Sequence, residues 1–452
     1  MSSHPPSVVD DPPTHVPHEA CRIIRAMLTA ECGVFEPKSF QIEMIYMLAF
    51  KRTRALLMQK TGAGKSLVVL GAASLLCGVT IVLEPLVAVG SDQSRAADEQ
   101  FSRIEAYHVE GLDDTTRDLV IERLLEMNDR SEGPCVLYLG PSALAEDSSW
   151  VAPLKKLFER GLVTLVAVDE VHKCTSDGRY FRRDEFQNLR RLWTFLDLSP
   201  KKVAQLSMTA TLTKQAKNDY RNMYGTDFEF TQVGDMSRRD MSLHCAIVPV
   251  PTIEMKNVVK RHLVSDPTRK VIVVTNEAQA AKVNVSNALT KVIESDADIV
   301  GDVMVVTGDS GIVWKTFVME EFSREEPTAL CHLRALVGTS AINCGVSSRL
   351  CGLSLYHGLP DTIDSYAQVV GRAGRTDLKE GALAFESHVV MNVASFTFLV
   401  SRINDVPCPA ERSVLTESAL ESLALMVIPN MCVHLFLESR YGGVSKRPNS
   451  SA

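Results

Sequence analysis

The 452-residue sequence has no C-x-x-C pair, no apolar run near the ~18 residues that cross a bilayer, and no excess of positive charge. Each absence excludes a class of protein. Eleven cysteines scattered without paired spacing argue against a disulfide framework and for a reducing compartment. Met1 to Pro17 is rich in proline and histidine but has no apolar centre, so it is not a signal peptide and is expected to be disordered. A net charge of −7 supplies no global basic field, so a surface for nucleic acid would have to be local. What remains is an ordinary globular composition, 45% hydrophobic and 23% charged, at a length that predicts two to three domains. No membrane association is expected, and the placement is intracellular, in the nucleus if the source is eukaryotic.

The chain is organised around Gln59-Lys60-Thr61-Gly62-Ala63-Gly64-Lys65-Ser66. Ala55 to Met58 reads as a buried strand and Leu67 to Ala73 as the start of a helix, which is the context a phosphate-binding loop requires. Gly62 and Gly64 let backbone N–H groups wrap a phosphate, and the helix N-terminus adds partial positive charge. Lys65 would reach the β- and γ-phosphates of ATP, and Ser66 would hold Mg²⁺. The strict G-x-x-x-x-G-K-[ST] pattern fails at its first position, where Gln59 stands. Upstream, Gln41 heads an amphipathic helix. Its amide suits an adenine edge, although a surface glutamine is the simpler reading of that residue alone.

Leu162 to Val168 is a continuous apolar run that ends in Asp169-Glu170-Val171-His172. It places two carboxylates at the C-terminal edge of a buried strand, where open α/β sheets bind ligands. Asp169 would bind the nucleotide's Mg²⁺, and Glu170 would polarise the attacking water. Thr80 to Gln93 reads as a strand, Pro85 and a helix, the next β-α unit of a parallel sheet. Ser207-Met208-Thr209-Ala210-Thr211 puts hydroxyls at another strand end. Asp177 to Arg191 interleaves five arginines with three aromatics. That segment either grips phosphates and stacks on bases or forms a solvated helix face.

The pattern loosens from Gly234 to His244, which reads as an interdomain linker. Strand-then-polar-edge units recur at 270–276, 302–309 and 335–340, with a helix over 278–292, so a second parallel α/β domain is expected, lacking a phosphate loop. Its signal is Asp361 to Arg375, in which Arg372 and Arg375 fall three apart on one helical turn. Arginine supplied to a γ-phosphate is worth ~10³–10⁵ in rate.

In this order the segments resemble superfamily 2 helicases, most closely the RecQ family, from about Phe35 to Glu386 and again near Cys432. The residues that carry the likeness are Pro85-Leu86 with Asp92-Gln93, Asp169-Glu170-x-His172, and Thr339-x-Ala341 with Gly345. Leu359-Pro360, Ser365-Tyr366, Gln368 and Gly371-Arg372-Ala373-Gly374-Arg375 complete the set. The resemblance implies α/β architecture with two tandem RecA-like lobes. Residues 1–18 would form a tail, 19–235 the first lobe, 236–395 the second, and 396–452 a helical tail with an incomplete zinc-binding module. It also implies an ATP- and Mg²⁺-dependent DNA helicase that unwinds 3′-to-5′ and serves DNA repair and recombination. Its partner would be single-stranded or tailed duplex DNA; protein partners stay open. Gln41, Thr61, Gly62, Ala63, Gly64, Lys65 and Ser66 would hold ATP, and Ser66 and Asp169 the Mg²⁺. Lys65, Asp169, Glu170, His172, Gln368, Arg372 and Arg375 would act in hydrolysis and coupling. Pro85, Leu86, Gln93, Phe181, Arg182 and Thr339 would face nucleic acid.

Three positions depart from the family: Lys60 for a proline, Asp177 for a tryptophan and Ser347 for an aspartate. Losing that tryptophan removes a stacking surface worth ~1–3 kcal/mol. Cys432 matches a first zinc ligand, but the chain ends before three more cysteines appear, so no zinc site and no accessory DNA-binding domain are expected. A nucleic-acid-binding ATPase remnant without unwinding and an RNA-directed DExH ATPase are the alternatives.

Overall fold

The computed structural model describes residues 15–427 and 440, except 35, 61, 85–86, 175–187, 213, 226, 235–240, 329–330, 340–341, 343–347, 375–384 and 408. For 87–92, 96, 214–215, 223–224, 312, 410–411, 414 and 425–427 the backbone alone is described. The chain divides into two compact units, 1–59 with 63–234 and 235–452, the second also taking in 60–62 of the loop after β1.

The first unit opens with α1 (His18–Cys32) and α2 (Ser39–Ala49), followed by β1 (Arg54–Met58), α3 (Lys65–Leu76), β2 (Val79–Leu83) and α4 (Val87–Gln100). It continues with β3 (Glu105–His108), α5 (Asp114–Glu126), β4 (Cys135–Leu139), α6 (Val151–Glu159) and β5 (Val163–Val168). The last elements are α7 (Leu189–Leu196), β6 (Ala204–Thr209), α8 (Lys214–Tyr224) and β7 (Phe230–Val233). The strands form one seven-stranded sheet in the order β3-β4-β2-β5-β6-β1-β7, and every pairing is parallel. β2, β4 and β5 are buried along their whole length. Helices cover both faces of a parallel sheet, which is why these strands read as unbroken apolar runs rather than alternating ones.

α3 packs closely on α2 at Gly71, where a Cβ would stand 2.8 Å from Ile45 Cδ1. That contact matters because α3 begins at the phosphate loop, so its seat on α2 fixes where the loop can lie.

The second unit runs β8 (Met241–Ile247), α9 (Pro251–Ser265), β9 (Lys270–Thr275), α10 (Ser286–Glu294), β10 (Asp302–Val306) and α11 (Ile312–Ser323). After these come β11 (Leu333–Gly338), β12 (Cys351–His357), α12 (Ile363–Val370), β13 (Phe385–Met391), α13 (Val393–Asn404) and α14 (Pro409–Val427). Its sheet is six-stranded, β10-β11-β9-β12-β13-β8, again parallel throughout. Two buried cations close helix ends here. The Lys270 ammonium donates to the carbonyls of Glu321, Phe322 and Arg324 at the end of α11. The Arg334 guanidinium donates to Leu263, Asp266, Arg269 and Val300 at and beyond the end of α9. Helix C-termini leave carbonyls unsatisfied, and cations are the favoured partners.

Three expectations need correction. The loose segment expected to run to His244 ends earlier, since β8 begins at Met241 and His244 is its fourth residue. The helix expected over 278–292 holds a π-helical stretch at Ala280–Val285 before α10, a local widening that hydrophobic periodicity does not signal. Arg372 does not lie on a helical turn: α12 stops at Val370, Arg372 sits in the turn beyond it, and Gly374 takes a left-handed φ of 69°. Arg375 falls outside the described residues.

Candidate nucleotide site

Strand order assembles the site. β2, β5, β6 and β1 are consecutive neighbours, with Leu83 opposite Val168, Val168 opposite Ser207, and Met58 opposite Thr209. The residues that follow these strands, Glu84, Asp169 and Gln59, therefore stand side by side at the carboxyl edge with the last residue of β6, Thr209. That edge is where parallel sheets bind ligands.

The phosphate loop joins β1 to α3. Gly62 and Gly64 have φ of 79° and 93°, a region side chains rarely enter. Gly64 is the N-cap of α3, and a Cβ there would meet Gln41 Nε2 at 2.5 Å. Lys65 Nζ folds back to donate to Gln59 O at 3.1 Å, and Ser66, the second residue of the helix, is exposed. Lys38 Nζ donates to Ala63 O at 3.0 Å. Thr61 falls outside the described residues.

Gln59 breaks the sequence pattern yet fits the fold. Its backbone N–H donates to Thr209 O at 3.1 Å, and its Nε2 donates to Gln232 Oε1 at 2.9 Å. The carboxamide lies against Gly234, where a Cβ would come within 2.1 Å of Gln59 Oε1. Among non-glycine residues with positive φ only Arg52, Cys77 and Glu170 appear in the described chain; Gln59 is not among them, so this position has no need of glycine.

Gln41 is not a surface residue. It is 4% exposed, its Oε1 accepts from Lys38 N at 2.8 Å, and its Nε2 donates to Gly64 O at 3.1 Å. The amide thus ties the start of α2 to the last glycine of the loop.

The acidic pair is more constrained than its sequence shows. Asp169 Oδ1 accepts from Glu170 N at 2.8 Å, and Oδ2 accepts from Gln93 Nε2 at 3.3 Å. Burial, with Glu170 adding to it and the Lys65 charge opposing, raises the Asp169 carboxyl from near 3.8 to about 6. Glu170 holds a left-handed φ of 43°, which costs a non-glycine residue ~1–2 kcal/mol and occurs mainly at functional sites. His172 is buried, with Nδ1 2.8 Å from Thr209 Oγ1 and 3.3 Å from Glu170 Oε2. Thr209 Oγ1 in turn donates to Thr211 O at 2.9 Å, so the hydroxyl proton is committed and His172 Nδ1–H is the donor in their pair. β6 is in this way coupled to both the Asp-Glu turn and the phosphate loop.

Sequence reasoning passed over Glu84. It is 2% exposed, and burial, reinforced by Asp169 and Glu170, pushes its carboxyl well up, with the Gln93 amide opposing. An acidic residue directly after the buried β2 run repeats the signal that singled out Asp169. Gln93, assigned from sequence to nucleic acid, donates from Nε2 to Asp169 Oδ2. In the second unit Thr339 directly follows β11, with its N–H on Val306 O at 3.4 Å; Gln368 and Arg372 are buried. Pro85, Leu86, Phe181, Arg182 and Arg375 lie outside the described residues.

Residues 38–219 match the DEAD/DEAH box helicase family. The chain is 23% identical over 420 residues to the ATP-dependent DNA helicase RecQ of Haemophilus influenzae, covering 92% of this chain and 61% of that protein. It is 24% identical over 379 residues to the ATP-dependent DNA helicase Q-like 2 of Arabidopsis thaliana, covering 81% of this chain and 49% of that one. The chain spans about half the length of several of these relatives. In fold it is similar to the Mycobacterium smegmatis helicase Lhr solved with ssDNA and AMP-PNP, at TM-score 0.57 and 17% identity over 85% of this chain and 49% of that one. Mss116p solved with ssRNA and AMP-PNP gives TM-score 0.57 at 14% identity over 86% of this chain and 79% of that one. The two parallel α/β units have the fold of tandem RecA-like lobes, and the chain, matching the DEAD/DEAH box helicase family over residues 38–219, is similar to RecQ-type DNA helicases.

Proposed function

We propose that the chain is an ATP-dependent DNA translocase and helicase of RecQ type that unwinds tailed duplex DNA 3′-to-5′. The observation that carries this reading is the carboxyl edge of the first sheet. There the Gln59 N–H at the start of the phosphate loop donates to Thr209 O, the Thr209 hydroxyl pairs with His172 Nδ1, and Asp169 Oδ1 accepts from Glu170 N.

The residues fit Mg²⁺ and ATP. The loop has a glycine cradle that a single Cβ at Gly64 would fill, and Asp169 sits in a buried acidic cluster opposed by the Lys65 charge. Mg²⁺ there would neutralise charge on the transferred phosphoryl group. Ser66 and Asp169 would hold it, and Gly62, Ala63 and Gly64, with Thr61, would wrap the phosphates. Lys65 would leave Gln59 O for the β- and γ-phosphates. Glu170 would accept a proton from water, held at its angle by the strained turn and by His172. Gln41 would serve adenine only by giving up Lys38 or Gly64; its present bonds support a second task, bracing the loop. Arg372, with Arg375, is the finger candidate on the second lobe, and Gln368 would couple the lobes. Pro85, Leu86, Phe181, Arg182 and Thr339 would face DNA, while Gln93 would position Asp169.

The RecQ relatives, named as DNA helicases, support DNA over RNA. Asp177 in place of the family's tryptophan favours a second reading, an ATPase that binds DNA without unwinding it. Steady-state ATPase with and without single-stranded DNA tests the first step; we expect stimulation by DNA, a weaker response to RNA, and loss in Lys65→Ala. Absence of stimulation sinks the proposal. Strand displacement on a 3′-tailed duplex then separates helicase from remnant.

A further inference from the structure

The second lobe carries a histidine-carboxylate cluster that the nucleotide chemistry does not use. β8 is the edge strand beside β13, and His244 pairs with His388 in register. Glu386 and His388 are two apart on β13 and so share a face, the face against α9. The His244 and His388 rings stack with centroids 4.5 Å apart at 21°. His388 Nε2 lies 2.6 Å from Glu386 Oε2. One ligand atom each from His244, Glu386 and His388 fall within 4.8 Å of one another. His262, fully buried on α9, places Nε2 3.2 Å from Glu386 Oε2, a close contact without hydrogen-bond geometry, and neither ring nitrogen has a hydrogen-bond partner among the described residues.

We propose that His244, His388 and Glu386 bind one divalent transition-metal ion, Zn²⁺ by the character of the donors, with His262 holding Glu386 in position.

Two imidazoles and a carboxylate are a common three-ligand set for zinc, and the fourth place is left to solvent because His244 is exposed. The ion would take the place of the contact between His388 Nε2 and Glu386 Oε2, with the neutral ring carrying its proton on Nδ1, and those two side chains would part to make room. Arg261 opposes the ion: its Nη2 donates to Glu386 Oε2 at 2.5 Å, but its side chain is half exposed and can turn to solvent. A bound metal would pin the edge strand to its neighbour, whereas the cysteine pattern that argued against zinc in the tail never tested this place.

The test uses the full chain stripped with chelator and titrated with Zn²⁺ and with Co²⁺. We expect one ion bound, visible Co²⁺ bands of a nitrogen-oxygen field without a thiolate charge-transfer band, and a rise in the melting temperature of the second lobe with Zn²⁺. His244→Ala removes an exposed ligand and should leave folding and ATPase intact while weakening Zn²⁺ at least tenfold, the lower range even for outer-shell losses. Glu386→Gln should do the same. Failure to bind Zn²⁺ at micromolar concentration, thiolate bands, or unchanged affinity in both variants would overturn the proposal.

Discussion

Glu170 and Asp169 are adjacent carboxylates for which different tasks are proposed, and they differ in backbone and burial. Glu170 is held in a left-handed turn with one oxygen toward His172. Glu170→Gln keeps the shape and removes the base. ATP turnover should fall by ~10²–10⁴ with nucleotide affinity retained; turnover within a few fold of the parent would remove Glu170 from that role. Asp169 is buried and raised to about 6. Its folded pKa exceeds the unfolded one, so its contribution to stability is present below about pH 4 and is lost as pH rises through about 6. In the absence of nucleotide and Mg²⁺, Asp169→Asn should therefore melt higher than the parent at pH 8, and the gap should close as pH falls toward 4. Melting curves across that range check it, and a gap that widens in acid contradicts it.

At the scale of elements, α2 and α3 are locked by Gln41 and Gly71, and the phosphate loop takes its shape from both. Gly64→Ala would force a Cβ onto Gln41 Nε2 at 2.5 Å and into an unfavourable φ of 93°. Nucleotide binding should drop by at least tenfold, and the double variant Gly64→Ala with Gln41→Ala should recover only part, because the backbone strain of ~1 kcal/mol or more persists. Full recovery, measured by fluorescent-nucleotide titration, would show that the clash alone mattered. Local pattern served well for the strands: β1, β2, β4, β5 and β9 to β11 lie where apolar runs place them. It served poorly at element ends. The spacing of Arg372 and Arg375 invites a helical turn, yet α12 stops at Val370 and Gly374 takes a left-handed φ. Only the backbone path decides that.

At the scale of the molecule, Gln41, Lys65, Ser66, Asp169 and Glu170, the residues proposed to serve the nucleotide, belong to the first unit and the arginine candidates to the second. Arg372→Ala should lower ATP turnover by about 10³ while leaving nucleotide affinity within a few fold. Arg372 is buried, so melting of the second lobe is followed in parallel; unchanged turnover in a folded variant rules out the finger role. By contrast, the variants at Gly64 act on affinity, so the two classes separate in a plot of kcat against KM.

The amino-acid order alone determines the fold class, two parallel α/β lobes, because a strand buried on both faces must be written as a continuous apolar run. It also determines the phosphate loop and the Asp169-Glu170 pair, because both are contiguous and end such runs. Tertiary structure alone decides what lies far apart in sequence. It shows Gln41 bracing the loop across 23 positions, Gln59 satisfied by Gln232, and Gln93 turned to Asp169. It shows Glu84 joining the acidic edge, and His244 meeting His388 across an edge strand. Periodicity reports which face a residue takes, whereas the neighbour on that face is set by strand order, which the chain specifies only when it folds.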